Sequence, residues 1–182
     1  MPTPIGHTLA GSALALSATQ AKSRWLLIFI VFFSILPDLD VIPGLFVGDV
    51  NRYHRLFSHS FLFIVGTGLA GAWLAYKLIR VKFTTGSMLF VGAGLLHLLM
   101  DILTLDTRAP FGCPLWWPFS DKSFILPVTL FLDFHRASDV SVFLQSIFNW
   151  HNAMTVGIEF LITVPFLIYA WHKRRKASHD EG

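Results

Sequence analysis

Charge is scarce in this chain. Asp, Glu, Lys and Arg make up 14% of its 182 residues, against about 25% in a soluble domain. The formal net charge is only +3, too little to argue for a nucleic-acid partner. There is one cysteine, Cys113, so no intramolecular disulfide can form and cysteine usage leaves the compartment open. The first 21 residues contain no Lys or Arg. The charged n-region of a secretory signal is therefore missing, and no cleavable signal peptide is expected. No internal repeat is visible. What fills the chain is apolar, with 54% hydrophobic residues and a mean hydropathy of +0.60. That is the composition of a membrane protein, and the length suits one domain.

Five apolar segments read as helices. They run from about 5 to 18, 25 to 36, 60 to 79, 87 to 103 and 153 to 171. Pro37 is expected to end the second, because proline pushes the residue before it out of the helical region. The third and fifth have the roughly 20 residues needed to cross a bilayer. The first two are short. They either form a re-entrant pair or extend through polar ends buried in protein. The expected fold is all-α, a polytopic membrane helical bundle of about five apolar segments. The stretch 104–152 holds Pro110, Pro114, Pro118 and Pro127 and is too long for an ordinary connector. It reads as an outer-face loop or lid, with Trp116 and Trp117 as boundary anchors or a substrate platform. The expected organisation is a single membrane-embedded domain over 1–176 and a polar cytoplasmic tail over 177–182.

Orientation follows from the basic residues. Lys22 and Arg24 lie between segments one and two, Lys77, Arg80 and Lys82 between three and four, and the run 173–176 after five. If all five segments cross or dip, these clusters fall on one side, which the positive-inside rule makes cytoplasmic.

Four polar islands sit at the opposite ends of the same segments. They are Gly6-His7, Pro37-Asp38-Leu39-Asp40, His54-Arg55 with Ser58-His59-Ser60, and His97 with Asp101. Such residues are costly in an apolar setting and persist when paired or when they hold a metal. His97 and Asp101 are four apart, so a helix puts both on one face. They read as metal ligands or as a satisfied intramembrane pair. Asp38 and Asp40 read as ligands or as a turn or cap, and His7 as a ligand or an interfacial residue. His54 and His59 are five apart and cannot both point inward from one regular helix, so one belongs to the preceding loop. Glu159 reads as functional or as a buried hydrogen-bond partner. Asp133, His135 and His151 are further candidates, whereas His172 and His179 belong to the basic tail.

A catalytic zinc site uses about three His or carboxylate ligands and an open position. Two ions can clamp a phosphoryl group, and bound metal lowers the pKa of water to about 7. The candidate metal ligands are His7, Asp38, His54, His59, His97 and Asp101. Asp38 or Asp40 is expected to orient water, and Arg55, Arg108 or Lys122 to neutralise phosphate charge. The cofactor expected is a divalent metal, zinc for preference, as one or two ions.

The order Gly-His, Pro-Asp-Leu-Asp, His-Arg-x-x-Ser-His-Ser, His-x-x-x-Asp and Trp-Pro-Phe-Ser resembles the YdjM-type family, classed as membrane-bound metal-dependent hydrolases. The resemblance covers roughly residues 2 to 125. In the third motif Leu56 stands for the family's Gly and Ser58 for its Thr. The resemblance implies a bacterial inner-membrane protein and metal-dependent hydrolysis. A more distant likeness is to the zinc-dependent phospholipase C and single-strand nuclease superfamily. It implies that His97 and Asp101 form the ligand pair on a helix, that His59 and one of Asp38 or Asp40 complete a first metal, and that His7 joins Asp101 on a second. The superfamily's third-metal His and Glu, four apart, have no match, since His151 and Glu159 are eight apart.

The expected function is therefore a membrane-bound phosphoesterase acting on a lipid or lipid-linked substrate, with its site on the periplasmic face. The alternative is a non-enzymatic metal-binding membrane protein or transporter accessory.

Overall fold

A computed structural model describes the chain except residues 19–22, 108, 110, 181 and 182. Lys22, Arg108 and Pro110 thus lie outside the described residues, as does the side chain of His179. Helix α1 (Pro4–Ser17) starts on a proline, whose fixed φ suits a first turn. Thr3 caps it by accepting the Gly6 N–H at 3.2 Å. Helix α2 (Arg24–Ile35) stops just before Pro37, but the chain does not leave its helical path. Residues Leu36–Asp40 form a 3₁₀ turn, and α3 (Val41–Phe46) follows. Pro37 changes the helix type rather than ending the segment, because a missing N–H is tolerated in a first turn. The whole run Arg24–Phe46 has 23 residues, about 35 Å of helix. The second segment is therefore long enough to cross, extending through a polar end. Helix α1, with 14 residues, stays short.

Helix α4 (Phe61–Ile79) is capped by Ser60, whose Oγ accepts the Phe63 N–H at 3.2 Å. Helix α5 (Phe83–Ile102) begins four residues before the expected start. The long C-terminal helix runs from Trp150 to Asp180. Among the described residues, four helical runs are long and apolar enough to cross a membrane: 24–46, 61–79, 83–102 and 150–176. Between 102 and 150 lie strands β1 (Thr104–Leu105) and β2 (Phe131–Leu132), paired in parallel, and the short helix α6 (Val140–Ser146). The C-terminal helix is α7.

Helix α1 packs against α2 and α7, α2 against α5, and α4 against α5. At one end the interior is apolar, built from Ala15, Leu26, Ile30, Phe33, Ala72, Ala75, Phe90 and Ala93. Leu16, Leu27, Trp171, Arg174 and Arg175 line a cleft at that same end. Large apolar side chains such as Trp25, Leu62, Trp73, Leu78 and Leu161 face outward. A lipid-facing surface requires this, whereas a soluble monomer rarely shows so large an apolar surface. The other end of the bundle buries the polar islands.

Candidate metal centre

Helix α5 brings His97 and Asp101 to one face, one turn apart, and both are fully buried. Helix α1 supplies His7, and it comes close enough only because residue 11 is glycine. A Cβ there would fall on Ser34 Oγ. That hydroxyl donates to the His7 carbonyl at 3.1 Å. The Ser34 carbonyl in turn lies 2.8 Å from His97 Nδ1. This contact puts the His97 proton on Nδ1 and leaves the Nε2 lone pair facing the cluster, as second-sphere partners of metal-binding histidines do. The 3₁₀ turn after α2 supplies Asp38, and a second 3₁₀ turn, Phe57–His59, supplies His59 just before α4. His54 lies further back, in the preceding turn. Neither histidine of the third island is on a regular helix.

Four of these side chains converge. His59 Nε2 is 3.4 Å from His97 Nε2, 3.3 Å from Asp101 Oδ2 and 3.6 Å from Asp38 Oδ1. His97 Nε2 is 3.7 Å from each of the same carboxylate oxygens. Two atoms ligating one tetrahedral ion at about 2.1 Å lie about 3.4 Å apart. The separations within the His59–His97–Asp101 group are of that order, and all three residues lie within ligand spacing of one another. These separations are too long for good hydrogen bonds. The second oxygens of the same carboxylates point to His7. Its Nε2 is 3.4 Å from Asp101 Oδ1 and 3.9 Å from Asp38 Oδ2. Asp38 and Asp101 thus each present one oxygen to the His59–His97 pair and the other to His7. His54 joins Asp38 and His59 in a further group with metal-ligand spacing.

The polar accounting points the same way. Both nitrogens of His7, both oxygens of Asp38 and Asp101 Oδ1 are buried without a hydrogen-bond partner. Each such atom costs about 1–3 kcal/mol unless something else satisfies it. A divalent cation held there would do so.

Asp40 has a different part from Asp38. Its carboxylate accepts from His54 Nδ1 at 2.9 Å, the Arg55 N–H at 3.1 Å and Ser58 Oγ at 2.5 Å. It also faces His59 Nδ1 at 3.3 Å. So saturated, Asp40 holds the third island together. Burial pushes the His54 imidazole down to about 4, against the pull of Asp40. His54 is therefore neutral at neutral pH, the state a metal ligand needs. At His59 burial opposes charge too, but Asp101, Asp38 and Asp40 outweigh it and hold the imidazole well above its usual range. Without a cation, the carboxylates draw a proton onto His59 instead.

Arg55 sits at φ +56, the left-handed region that few non-glycine residues adopt. Its Nη1 donates to Asp106 Oδ2 at 2.5 Å, and its Nε lies 3.9 Å from Asp101 Oδ2. Leu56, the next residue, has φ −94 with ψ −122 and an exposed side chain. Arg55 and His54 also line a cavity of about 350 Å³, with Asp106, Asp133 and Arg136 among its walls. Lys122 is exposed and does not line it.

Some contributors had no sequence signal. Arg136, which lines the cavity where Lys122 does not, follows an unremarkable loop. Cys113 donates Sγ–H to Asp101 Oδ2 at 3.8 Å. Burial, reinforced by the Asp101 charge, pushes its thiol up to about 12. In this arrangement the thiol serves as a hydrogen-bond donor to Asp101. Glu159 takes the hydrogen-bonding part. It accepts the N–H and hydroxyl of Thr3, and a Cβ on Gly6 would come within 2.7 Å of its Oε2. Glu159 thereby locks the first turn of α1, which carries His7.

The motif order and the clustered ligands now have a counterpart among known families. The model of the YdjM inner membrane protein family matches residues 1–177. The chain belongs to that family. The match extends well past residue 125, so the C-terminal helix is as much a part of the YdjM pattern as the islands are. No curated protein and no solved structure matches. Within this YdjM chain the His and Asp groups could hold metal at His7–Asp38–His97, at Asp38–His54–His59 and at His59–His97–Asp101.

Proposed function

We propose that this protein is a membrane-bound, metal-dependent hydrolase, a phosphoesterase acting on a lipid or lipid-linked substrate. The observation that carries the reading is the buried set His7, Asp38, His59, His97 and Asp101, spaced as ligands and left with unpartnered atoms. His59, His97 and Asp101 would hold one ion, and His7 and Asp38 would contribute to a second. Zinc suits this set of imidazole and carboxylate donors. Ions held there would polarise a phosphoryl oxygen and make water acidic enough to attack at neutral pH. The protein's own part is positional. Asp40 and the Ser34 carbonyl fix the tautomers of His54, His59 and His97. Arg55, tied to Asp106, directs positive charge into the cavity beside the centre, where a phosphate would sit.

The apolar packing of Ile30, Phe33, Ala72 and Phe90 beyond the centre favours hydrolysis over ion passage, which needs a polar path. The basic helix ends would face the cytoplasm and the centre the periplasm, by the positive-inside rule. Maleimide added outside intact cells should then fail to label Arg80→Cys in a Cys113→Ser background; efficient labelling would invert the orientation. The activity is tested by incubating purified protein with phospholipids, lipid phosphates and lipid-linked diphosphates. Release of phosphate or headgroup, abolished by His97→Ala, is expected. Protein that is loaded with zinc and inert on the whole panel would contradict the reading.

A further inference from the structure

Away from the buried centre, Asp133, His135 and His151 form a second group with ligand spacing. Asp133 Oδ1 lies 3.3 Å from His135 Nε2 and 3.3 Å from His151 Nε2. The two imidazoles stack at 3.7 Å with their planes 9° apart, so both Nε2 atoms meet the carboxylate from one side. Asp133 is buried, and its Oδ1 has no hydrogen-bond partner. The other oxygen is occupied, accepting from the Thr107 N–H at 2.9 Å and the Thr107 hydroxyl at 2.8 Å. These bonds outweigh burial and hold the Asp133 carboxyl below its ordinary range. The carboxylate is thus ionised and aims one unsatisfied oxygen between two imidazoles.

The backbone around it is held in place. Asn152 takes the His135 N–H at 2.7 Å and donates to the His135 carbonyl at 2.6 Å. Thr155 Oγ1 donates to the Asp133 carbonyl at 3.2 Å. Asn152 and Thr155 are buried residues in the first turns of α7. They fix residues 133 and 135 against the helix that carries His151. Ligand groups held this way, by supports that are not ligands themselves, are what a preorganised metal site requires. The imidazoles are partly exposed, with side chains 20% and 30% accessible for His135 and His151. Water can therefore complete the coordination.

We propose that Asp133, His135 and His151 form a separate divalent-cation site, suited to zinc, which clamps the segment after β2 onto α7. Three protein ligands of this type with room for water suit zinc. Without the cation, His151 Nε2 contacts the Asp133 carbonyl at 2.8 Å and His135 Nε2 contacts the Thr107 hydroxyl at 3.0 Å. Zinc exchanges those contacts for ligation, with the imidazole protons on Nδ1. The clamp matters because Asp133, Phe134, Arg136, Ala137 and Ser138 wall the cavity that reaches His54 and Arg55. A cation here holds that wall in place without entering the buried centre. The inference does not depend on the chain being a hydrolase.

The test uses the full chain in detergent micelles, stripped with chelator, reloaded with zinc chloride, desalted and assayed for zinc per chain. The double variant His135→Ala/His151→Ala should bind one zinc fewer than the unaltered protein. His151→Gln keeps a side-chain N–H for the Asp133 carbonyl, which protects the fold, and should also bind one fewer. His97→Ala should keep the outer zinc, and this separates the outer site from the central one. In hydrogen exchange, zinc should protect the amides of 133–138 in the unaltered protein and not in His151→Gln. An unchanged zinc count in a folded His151→Gln protein, or zinc without effect on exchange at 133–138, would overturn the site.

Discussion

At the end of the bundle that carries Arg24, Lys77 and Arg175, the interior is Ile30, Phe33, Ala72, Ala75, Phe90 and Ala93. At the other end it is His7, Asp38, His59, His97 and Asp101. Both interiors are buried, and they hold together differently. The first is complete as it stands. Its Phe33 and Phe90 rings stack at 4.7 Å, and its interior side chains are apolar. The second leaves five nitrogen and oxygen atoms of His7, Asp38 and Asp101 without hydrogen bonds. One end is thus complete in its shape, and on the proposed function the other is completed by a cation, so substitutions at the two ends should fail in different ways.

The largest effects come from breaking each end by its own means. Phe90→Ala opens a cavity and should lower stability by about 3–5 kcal/mol, seen as a lower melting temperature in detergent, with metal content unchanged. Asp101→Asn keeps the shape but removes the charge that offsets a cation. It should lose bound metal while the protein still inserts and folds. If Phe90→Ala also strips the metal, or Asp101→Asn leaves it in place, the two ends are not independent.

A smaller effect is expected one layer out. Asp40 touches His54, Arg55 and Ser58 rather than the proposed ions. Removing such a supporting partner lowers metal affinity by about 10–100-fold. Asp40→Asn should therefore bind zinc more weakly in a competition with a chromophoric chelator, with stoichiometry unchanged at saturation. Loss of a whole equivalent would make Asp40 a direct ligand.

These two aspartates show where the sequence was legible and where it was not. The Pro-Asp-Leu-Asp motif marked both, and nothing in it said which one faces the histidines. That choice depends on Pro37, which turns the helix into a 3₁₀ segment instead of ending it, so that Asp38 points inward and Asp40 toward His54. The helix positions were readable from the apolar runs. The four-residue spacing of His97 and Asp101 placed them on one face before any coordinates. Glu159 was marked as a buried hydrogen-bond partner, whereas Ser34 and Gly11 were opaque because their parts depend on neighbours distant in sequence. A serine within an apolar helix, or a glycine facing it, carries no local mark of the contact it makes. Arg136 and Cys113 reach the site through the 104–152 segment, whose path no periodicity specifies.

The smallest effect is expected at Leu56, where the family pattern has glycine. The residue has a negative φ and an exposed side chain. Leu56→Gly should thus alter stability by no more than about 1 kcal/mol and leave metal content intact. A large change in thermal melting would show that Leu56 supports the strained Arg55 beside it.

The central claim is that the buried His and Asp cluster is a metal centre and not a set of self-satisfied polar pairs. Metal analysis of the purified protein, with and without His97→Ala, tests it most directly. The unaltered protein should carry at least one tightly held divalent ion per chain that resists mild chelation. Folded His97→Ala should carry fewer. A folded, unaltered protein that is metal-free as purified and takes up no zinc, manganese or iron at the cluster would contradict the claim.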